Sequence, residues 1–428
     1  MDRQTFAGGG AKNRLRWGEN WTEVCLGLGL FLAALVLFGA NLGSLPLQTV
    51  EGAIAETVNQ IWQDENGWQA WWQLGREPPT LLSLAIAFIY SLAGTSLWAM
   101  RLPSALLAAL SVTLVYGMGR ELFPTRLPAI FAAGVYLTLL PIVQAGRLAT
   151  LDSAILCFWT WTIYCLLRSR RDLRWAVGIG MVLGLICLTK VEFGLLLGAI
   201  ALVFLLWDTP RLLTSGYLWM GFLLGIFPLA FWERLPILYS YQTLVNSGIL
   251  PPFWQPAGQE SSSPWYYLLE MGKYTWPWAV FFPHSCQLIW ENRHFSWAKL
   301  AIAWTIIYLC VLSLLPAKLS SHLLPIYPAL GLIVGAQLAE AWDWSLSRPY
   351  PRTWILGLGW LGLTGLFGSL YFGSLATPID WYWQIVLASA AFTCLIATML
   401  LIQRDKQFIL ILLWGSYISL LLSIAAVH

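Results

Sequence analysis

Long apolar runs separated by short polar stretches dominate this chain of 428 residues. A helix that crosses a bilayer needs about 20 mostly apolar residues, so each run of that length is a predicted membrane span. The pattern therefore predicts an all-α, polytopic membrane protein with about 13 spans. These lie at residues 24–44, 102–119, 127–145, 152–168, 175–190, 192–207, 216–232, 274–290, 297–316, 322–341, 354–374, 381–402 and 408–427.

A shorter apolar stretch at residues 80–95 could either cross the membrane or lie at its surface. Loops on the cytoplasmic side collect Lys and Arg, and the most basic stretch of the chain is "RSRRDLR" at 168–174. If 80–95 crossed the membrane, that block would lie outside. We therefore predict that 80–95 is a surface or re-entrant helix, which also puts Arg120 and Arg126 inside. The basic N-terminus is then cytoplasmic, and the C-terminus is outside.

This topology leaves two long external loops, at residues 46–101 and 233–273. The first loop would carry surface helices. The run from residue 24 has no cleavage pattern of small residues, and it is typical of an uncleaved signal anchor. The predicted units are a cytoplasmic segment 1–23, a catalytic membrane module 24–345 and C-terminal membrane helices 346–428.

Composition excludes several classes of protein. Hydrophobic residues make up 58% of the chain and charged residues only 11%, against about 25% charged in soluble domains. No basic tract is dense enough to indicate nucleic-acid binding, and no phosphate-binding loop indicates nucleotide hydrolysis. Most of the seven cysteines lie in apolar runs without a CxxC pair, which favours buried thiols. The four histidines are scattered and predict no metal cluster.

Polar residues gather on the predicted outer face, at the ends of the spans. The candidate catalytic acids are Glu51 and Asp152, and the candidate substrate-binding residues are Arg76, Arg147, Lys190, Lys318 and His322. Each of these residues could instead simply mark a helix end, and Asp152 could cap helix amides. Glu51, Asp152 and His322 leave a divalent metal open, although nothing in their spacing demands one.

This set of residues suits a phosphate-bearing lipid. A carboxylate can take a proton from an acceptor group, and cations can offset the charge of a leaving phosphate. Nucleotide sugars are cytoplasmic, so a lipid-linked sugar is the natural donor outside. A transporter is less consistent with the sequence, because no repeat is visible and the polar set lies on one side. A lipid- or partner-binding membrane protein without activity stays open.

Several segments occur in an order that resembles a known family. They are "TVEGAIAETVNQIW", "AGTSLWAMRLPSALLAALSVTLVYGMGRELF", "GRLATLDSAILCFW", "GLICLTK" and "PAKLSSHLLPIYPALGLIVG". Over about residues 20–340 the chain resembles the GT-C membrane glycosyltransferases. Within that class it resembles the family of protein O-mannosyltransferases and bacterial aminoarabinose transferases. The resemblance implies a polyprenyl-phosphate sugar as donor and a lipid or protein as acceptor, at the outer face of the inner membrane.

The chain departs from this family at two positions. The family opens its first loop with an Asp-Glu pair whose Asp is the usual candidate base, and here the pair is Val50-Glu51. The family often places Lys before two prolines at the end of that loop, and here Glu77 stands there with Arg76 before it.

Other positions of the family pattern are kept. They are Asp152 with Arg147, Lys190, and Lys318 with His322 nearby. Three interpretations follow from the departures. Glu51 or Asp152 takes the role of base and Arg76 binds the phosphate; the substrate differs; or the protein binds lipid or a partner without turnover.

Overall fold

The computed structural model describes residues 17–63, 80–233, 265–314, 318–345, 348–375 and 378–425. Within these ranges the chain is helical and has no strand. The α-helices are α1 (Trp17–Gly39), α2 (Gly52–Gln63), α3 (Leu81–Ala93), α4 (Leu97–Leu122), α5 (Leu127–Leu137), α6 (Leu140–Arg147), α7 (Leu151–Arg168), α8 (Ala176–Thr189), α9 (Val191–Asp208), α10 (Gly216–Glu233), α11 (Tyr266–Tyr274), α12 (Phe282–Glu291), α13 (Ser296–Leu314), α14 (Tyr327–Asp343), α15 (Arg352–Leu375), α16 (Pro378–Ile402) and α17 (Phe408–Ala425). Short 3-10 helices include Thr49–Glu51 and Ser320–Ile326.

The membrane-spanning character follows from helix length and hydropathy. In the described part of the chain, eight helices are long and apolar enough to cross a bilayer. A ninth span results if α5 and α6, which meet at an angle of 62°, are one broken span. The prediction of an all-α polytopic membrane protein is confirmed, whereas the count of thirteen is not.

Glycines let two helices of the bundle approach very closely. A Cβ added to Gly180 of α8 would lie 2.2 Å from the amide nitrogen of Phe222 in α10. A Cβ on Gly221 would lie 2.2 Å from the carbonyl oxygen of Val177. Gly184 and Gly225 repeat the arrangement one turn along, which is the spacing of small residues that membrane helices use for close packing.

We expect the substitution Gly221→Leu to disrupt this contact. The new side chain would meet backbone atoms, which cannot move aside as a flexible side chain can. The expected destabilisation is about 3 kcal/mol, seen as loss of monodisperse protein during gel filtration in detergent. Gly198→Leu is the control, because nothing lies within 4 Å of a Cβ on Gly198. Equal yields of the two variants would contradict the close packing of α8 and α10.

The two helices between α1 and α4 form a small core of their own. Val58 of α2 packs with Leu82 and Ile86 of α3 and with Met100 at the start of α4. Helix α3 has 13 residues and is about 20 Å long, shorter than the roughly 30 Å hydrocarbon core of a bilayer. A straight helix of this length would not cross the bilayer alone, and the surface position of 80–95 stays a prediction.

Three acids with two cationic partners each join helices at one end of the bundle. We call this end the arginine end, and its ion pairs have N–O distances of 2.5 to 3.5 Å. The pairs are Glu23 with Arg120 and Arg126, Glu121 with Arg168 and Arg171, and Asp208 with Arg170 and Lys299. Helix α7 (Leu151–Arg168) carries Asp152 in its first turn, so Asp152 lies about 25 Å from Arg168, at the opposite end.

Candidate active site

Glu51 lies in the 3-10 turn that follows α1, and its carboxylate is completely buried. Arg101 of α4 donates to both carboxylate oxygens, from Nε to Oε1 at 2.8 Å and from Nη2 to Oε2 at 2.6 Å. The amide of Ala149 donates to Oε1 at 2.8 Å, and the amide of Gln48 donates to Oε2 at 3.0 Å. Four donors therefore hold this carboxylate in place.

These contacts make Glu51 a weak base. Burial alone would raise the pKa of its carboxyl. The hydrogen bonds from Arg101, Ala149 and Gln48, together with the charge of Arg101, outweigh burial and hold the pKa below its ordinary value. A general base works best with a pKa near the operating pH and with access to the proton it removes. The structure gives Glu51 neither property.

Arg101 also organises the backbone that leads to Glu51. Its Nη1 donates to the carbonyls of Leu42 and Leu45 at 2.8 and 3.0 Å, and its Nη2 donates to the carbonyl of Pro46 at 3.1 Å. Sequence reasoning missed this residue. The available indication was a single Arg near the start of a long apolar run, because a charge there needs a partner.

Arg147 is buried and binds the end of α1. Its guanidinium donates to the carbonyls of Leu37 at 3.5 Å and Phe38 at 3.4 Å, and also to the carbonyl of Ala40. The last carbonyls of a helix lack partners within the helix, so Arg147 supplies the missing donors. A substrate phosphate would have to compete with these carbonyls for the guanidinium.

Asp152 and Lys190 form a much looser pair. Asp152 lies in the first turn of α7, and Lys190 lies at the junction of α8 and α9. The Lys190 Nζ is 3.4 Å from Asp152 Oδ1, and the two side chains are 30% and 19% exposed. Charge-assisted hydrogen bonds are usually about 2.7–2.9 Å long. This pair is therefore open to exchange with a ligand, unlike the pair of Glu51 and Arg101.

Phe193 and His322 continue this group. The Lys190 ammonium is 5.4 Å from the centroid of the Phe193 ring. That ring meets the His322 imidazole edge to face, with centroids 5.6 Å apart. Lys318 precedes His322 by four residues and is partly exposed. Of the predicted site residues, the structure thus brings Asp152, Lys190 and His322 together.

Comparison with known proteins finds a family that matches part of the chain. Residues 77–232 match the model of the dolichyl-phosphate-mannose-protein mannosyltransferase family. This match covers just over a third of the chain. The resemblance inferred from the sequence is thereby confirmed. The matched residues hold Arg101, Arg147, Asp152 and Lys190.

Curated relatives of this chain share one description. The undecaprenyl phosphate-alpha-4-amino-4-deoxy-L-arabinose arabinosyl transferase 1 of Pseudomonas fluorescens is 25% identical over 318 residues, which cover 69% of this chain and 56% of the relative. A transferase of the same description from Aeromonas salmonicida is 28% identical over 281 residues, 62% of this chain and 51% of the relative. The chain spans about half the length of these curated relatives.

A solved structure shows the same fold. The crystal structure of ArnT from Cupriavidus metallidurans bound to undecaprenyl phosphate superposes with a TM-score of 0.70. The match covers 96% of this chain and 77% of that one, at 19% identity.

Of the two departures from the mannosyltransferase-family pattern, one falls on a residue that the structure describes and one does not. Val50 is 60% exposed, next to the buried Glu51. Position 50 thus points away from the carboxylate network that its neighbour joins. The predicted phosphate-binding Arg76, and Glu77 beside it, lie outside the described residues. Among the residues that are described, no group of three His, Cys, Asp or Glu side chains could hold a metal ion.

Proposed function

We propose that this chain is a membrane glycosyltransferase that moves a sugar from a polyprenyl-phosphate donor to a lipid or protein acceptor. The observation that carries the proposal is the group of Asp152, Lys190 and His322, within and beside a mannosyltransferase-family domain. The names of the relatives support this donor class, as does the undecaprenyl phosphate bound to the structural neighbour.

In this proposal Asp152 is the base and Lys190 binds the phosphate. The phosphate of the donor competes with Asp152 for the Lys190 ammonium, which the long, partly exposed pair allows. That exchange frees the Asp152 carboxylate to accept a proton from the acceptor. Lys190 then offsets the charge that develops on the leaving phosphate.

The remaining candidate residues receive different roles. His322 and Lys318 contact substrate from the 318–326 segment, and Arg76 contributes from the first external loop. Glu51 and Arg147 act through the backbone that they hold, because their polar atoms are taken up by protein groups. Both shape the end of α1 and the loop that follows it.

We further propose that the Asp152 end faces outside, in the inner membrane, with the N-terminus in the cytoplasm. The support is the arginine end, where six cations meet three acids. An excess of Lys and Arg is typical of the cytoplasmic side.

Orientation is testable by cysteine labelling. We expect Thr95→Cys, an exposed position between α3 and α4, to react with a membrane-impermeant thiol reagent added to intact cells. Gln407→Cys, exposed between α16 and α17, should react only after the cells are opened. Both substitutions are made in a background without the seven native cysteines. The reverse pattern would invert the proposed topology.

The function itself is tested with purified protein and a panel of labelled polyprenyl-phosphate sugars. Transfer or donor hydrolysis with at least one donor is expected. If well-folded protein gives neither reaction, the glycosyltransferase proposal is wrong. Donor binding without turnover would then favour the alternative of a lipid-binding protein on the same fold.

A further inference from the structure

Prolines stand within and just after the 3-10 helix Ser320–Ile326, which carries His322, at positions where backbone donors would be expected. In a 3-10 helix the amide three residues ahead donates to each carbonyl. Three residues after His322 stands Pro325, and three residues after Pro325 stands Pro328. Proline has no backbone N–H. The carbonyls of His322 and Pro325 therefore have no amide donor at the 3-10 position, in a part of the protein that is buried.

Two side chains of α13 replace the missing donors. The Tyr308 hydroxyl donates to the carbonyl of His322 at 2.6 Å, and the Trp304 indole Nε1 donates to the carbonyl of Pro325 at 2.9 Å. Both side chains are completely buried. They stand four residues apart, and so one above the other on the same face of α13. Their spacing along the helix matches the two carbonyls that need donors.

The same face of α13 is tied to the helix that carries Asp152. The rings of Trp304 and Trp159 meet edge to face, with centroids 5.2 Å apart. Trp159 belongs to α7, which begins at Leu151. The α13 face thus contacts both the His322 segment and the Asp152 helix.

We propose that Tyr308 and Trp304 are positioning residues that hold His322 against Phe193, next to Lys190 and Asp152. The effect of these two residues on catalysis rests on the proposed glycosyltransferase function. Their effect on the position of the segment does not, because the hydrogen bonds exist without substrate. Removing either donor takes one hydrogen bond from a buried carbonyl, which favours a shift of the segment.

The catalytic part is tested by a double-mutant cycle. We expect Tyr308→Phe to lower the rate of sugar transfer about tenfold, the size expected when a buried group loses one hydrogen bond. In a His322→Ala background, Tyr308→Phe should change the rate less than about twofold, because Tyr308 acts through His322. An equal loss in both backgrounds would overturn the proposed role.

A matched control separates positioning from simple loss of a buried hydroxyl. Tyr136 is also completely buried, and its hydroxyl lies 2.9 Å from that of Ser111. Tyr136→Phe removes the same atom elsewhere in the core, so it should leave the transfer rate within about twofold of wild type.

The structural part is tested by hydrogen exchange in detergent, without substrate. Amides in peptides covering 318–330 should exchange at least about tenfold faster in Tyr308→Phe and in Trp304→Phe than in Tyr136→Phe. Trp304→Phe keeps an aromatic ring against Trp159 but removes the donor together with part of the indole, whereas Tyr308→Phe removes the hydroxyl alone. Unchanged exchange in both variants would overturn the inference. If wild-type protein transfers no sugar, the proposed function fails, while the exchange result still decides whether Tyr308 and Trp304 hold the segment.

Discussion

Asp152→Asn should lower the rate of sugar transfer by about 10²- to 10⁴-fold, the usual contribution of a positioned general base. Asn has nearly the same shape but cannot accept the proton. The fold should survive, because the ion pair with Lys190 is long and partly exposed. Such a pair contributes at most about 1 kcal/mol.

This prediction is measured as initial rate of transfer per mole of monodisperse protein. Asp172→Asn is the matched control. It makes the same chemical change at the arginine end, where Asp172 caps a short 3-10 helix and Asn can do the same. A rate for Asp152→Asn within about tenfold of wild type would exclude Asp152 as the base.

Arg101→Leu should have the largest effect on stability. Removing one partner of a buried ion pair costs about 3–5 kcal/mol, because the other charge remains buried without compensation. Here the orphaned group would be Glu51, and the carbonyls of Leu42, Leu45 and Pro46 would lose their donor as well. The measurement is the yield of monodisperse protein and its midpoint of thermal unfolding in detergent.

Lys273→Leu is the control for this prediction. Lys273 pairs with Glu270 at 3.2 Å, and the Lys273 side chain is 66% exposed while that of Glu270 is 10% exposed. Because water solvates the Lys273 ammonium, loss of this pair should cost much less than removal of Arg101. If the two variants unfold at the same temperature, the buried ion pair of Glu51 and Arg101 does not stabilise the fold as we propose.

The lowered pKa of Glu51 determines how the stability contributed by its ion pair with Arg101 depends on pH. Its folded pKa is below the ordinary value of 4.5. A carboxyl with a lowered folded pKa contributes stability that is complete above its unfolded pKa and is lost as the pH falls through the folded pKa. The stability contributed by the ion pair of Glu51 and Arg101 should therefore stay constant at every pH above about 5.

Hydropathy was sufficient for the fold class, because the apolar runs predicted a helical membrane bundle and the structure is one. Charge asymmetry assigned 80–95 to the surface, and that assignment stays a prediction. Asp152 and Lys190 were expected at the same end because each stands at the end of an apolar run on the same predicted side. The structure places them within 3.4 Å of each other.

Contacts between distant residues could not be predicted in this way. Glu51 is held by Arg101, fifty positions along the chain, and no local pattern links the two. The guanidinium of Arg147 is a group that often binds phosphate, yet here it binds the carbonyls at the end of α1. The role of Tyr308 depends on proline positions in another segment and on which face of α13 meets it. The count of thirteen spans failed to be confirmed where helices are short or bent.

The relative roles of the two candidate acids are tested most directly by comparing Glu51→Gln with Asp152→Asn under one assay. The quantity is the rate of sugar release from a labelled polyprenyl-phosphate donor per mole of folded protein. We predict that Asp152→Asn folds in normal yield but loses at least about 100-fold in rate. Glu51→Gln should fold in lower yield, while its folded fraction keeps a rate within about tenfold of wild type. A folded Glu51→Gln protein that is inactive, beside an active Asp152→Asn protein, would contradict these assignments.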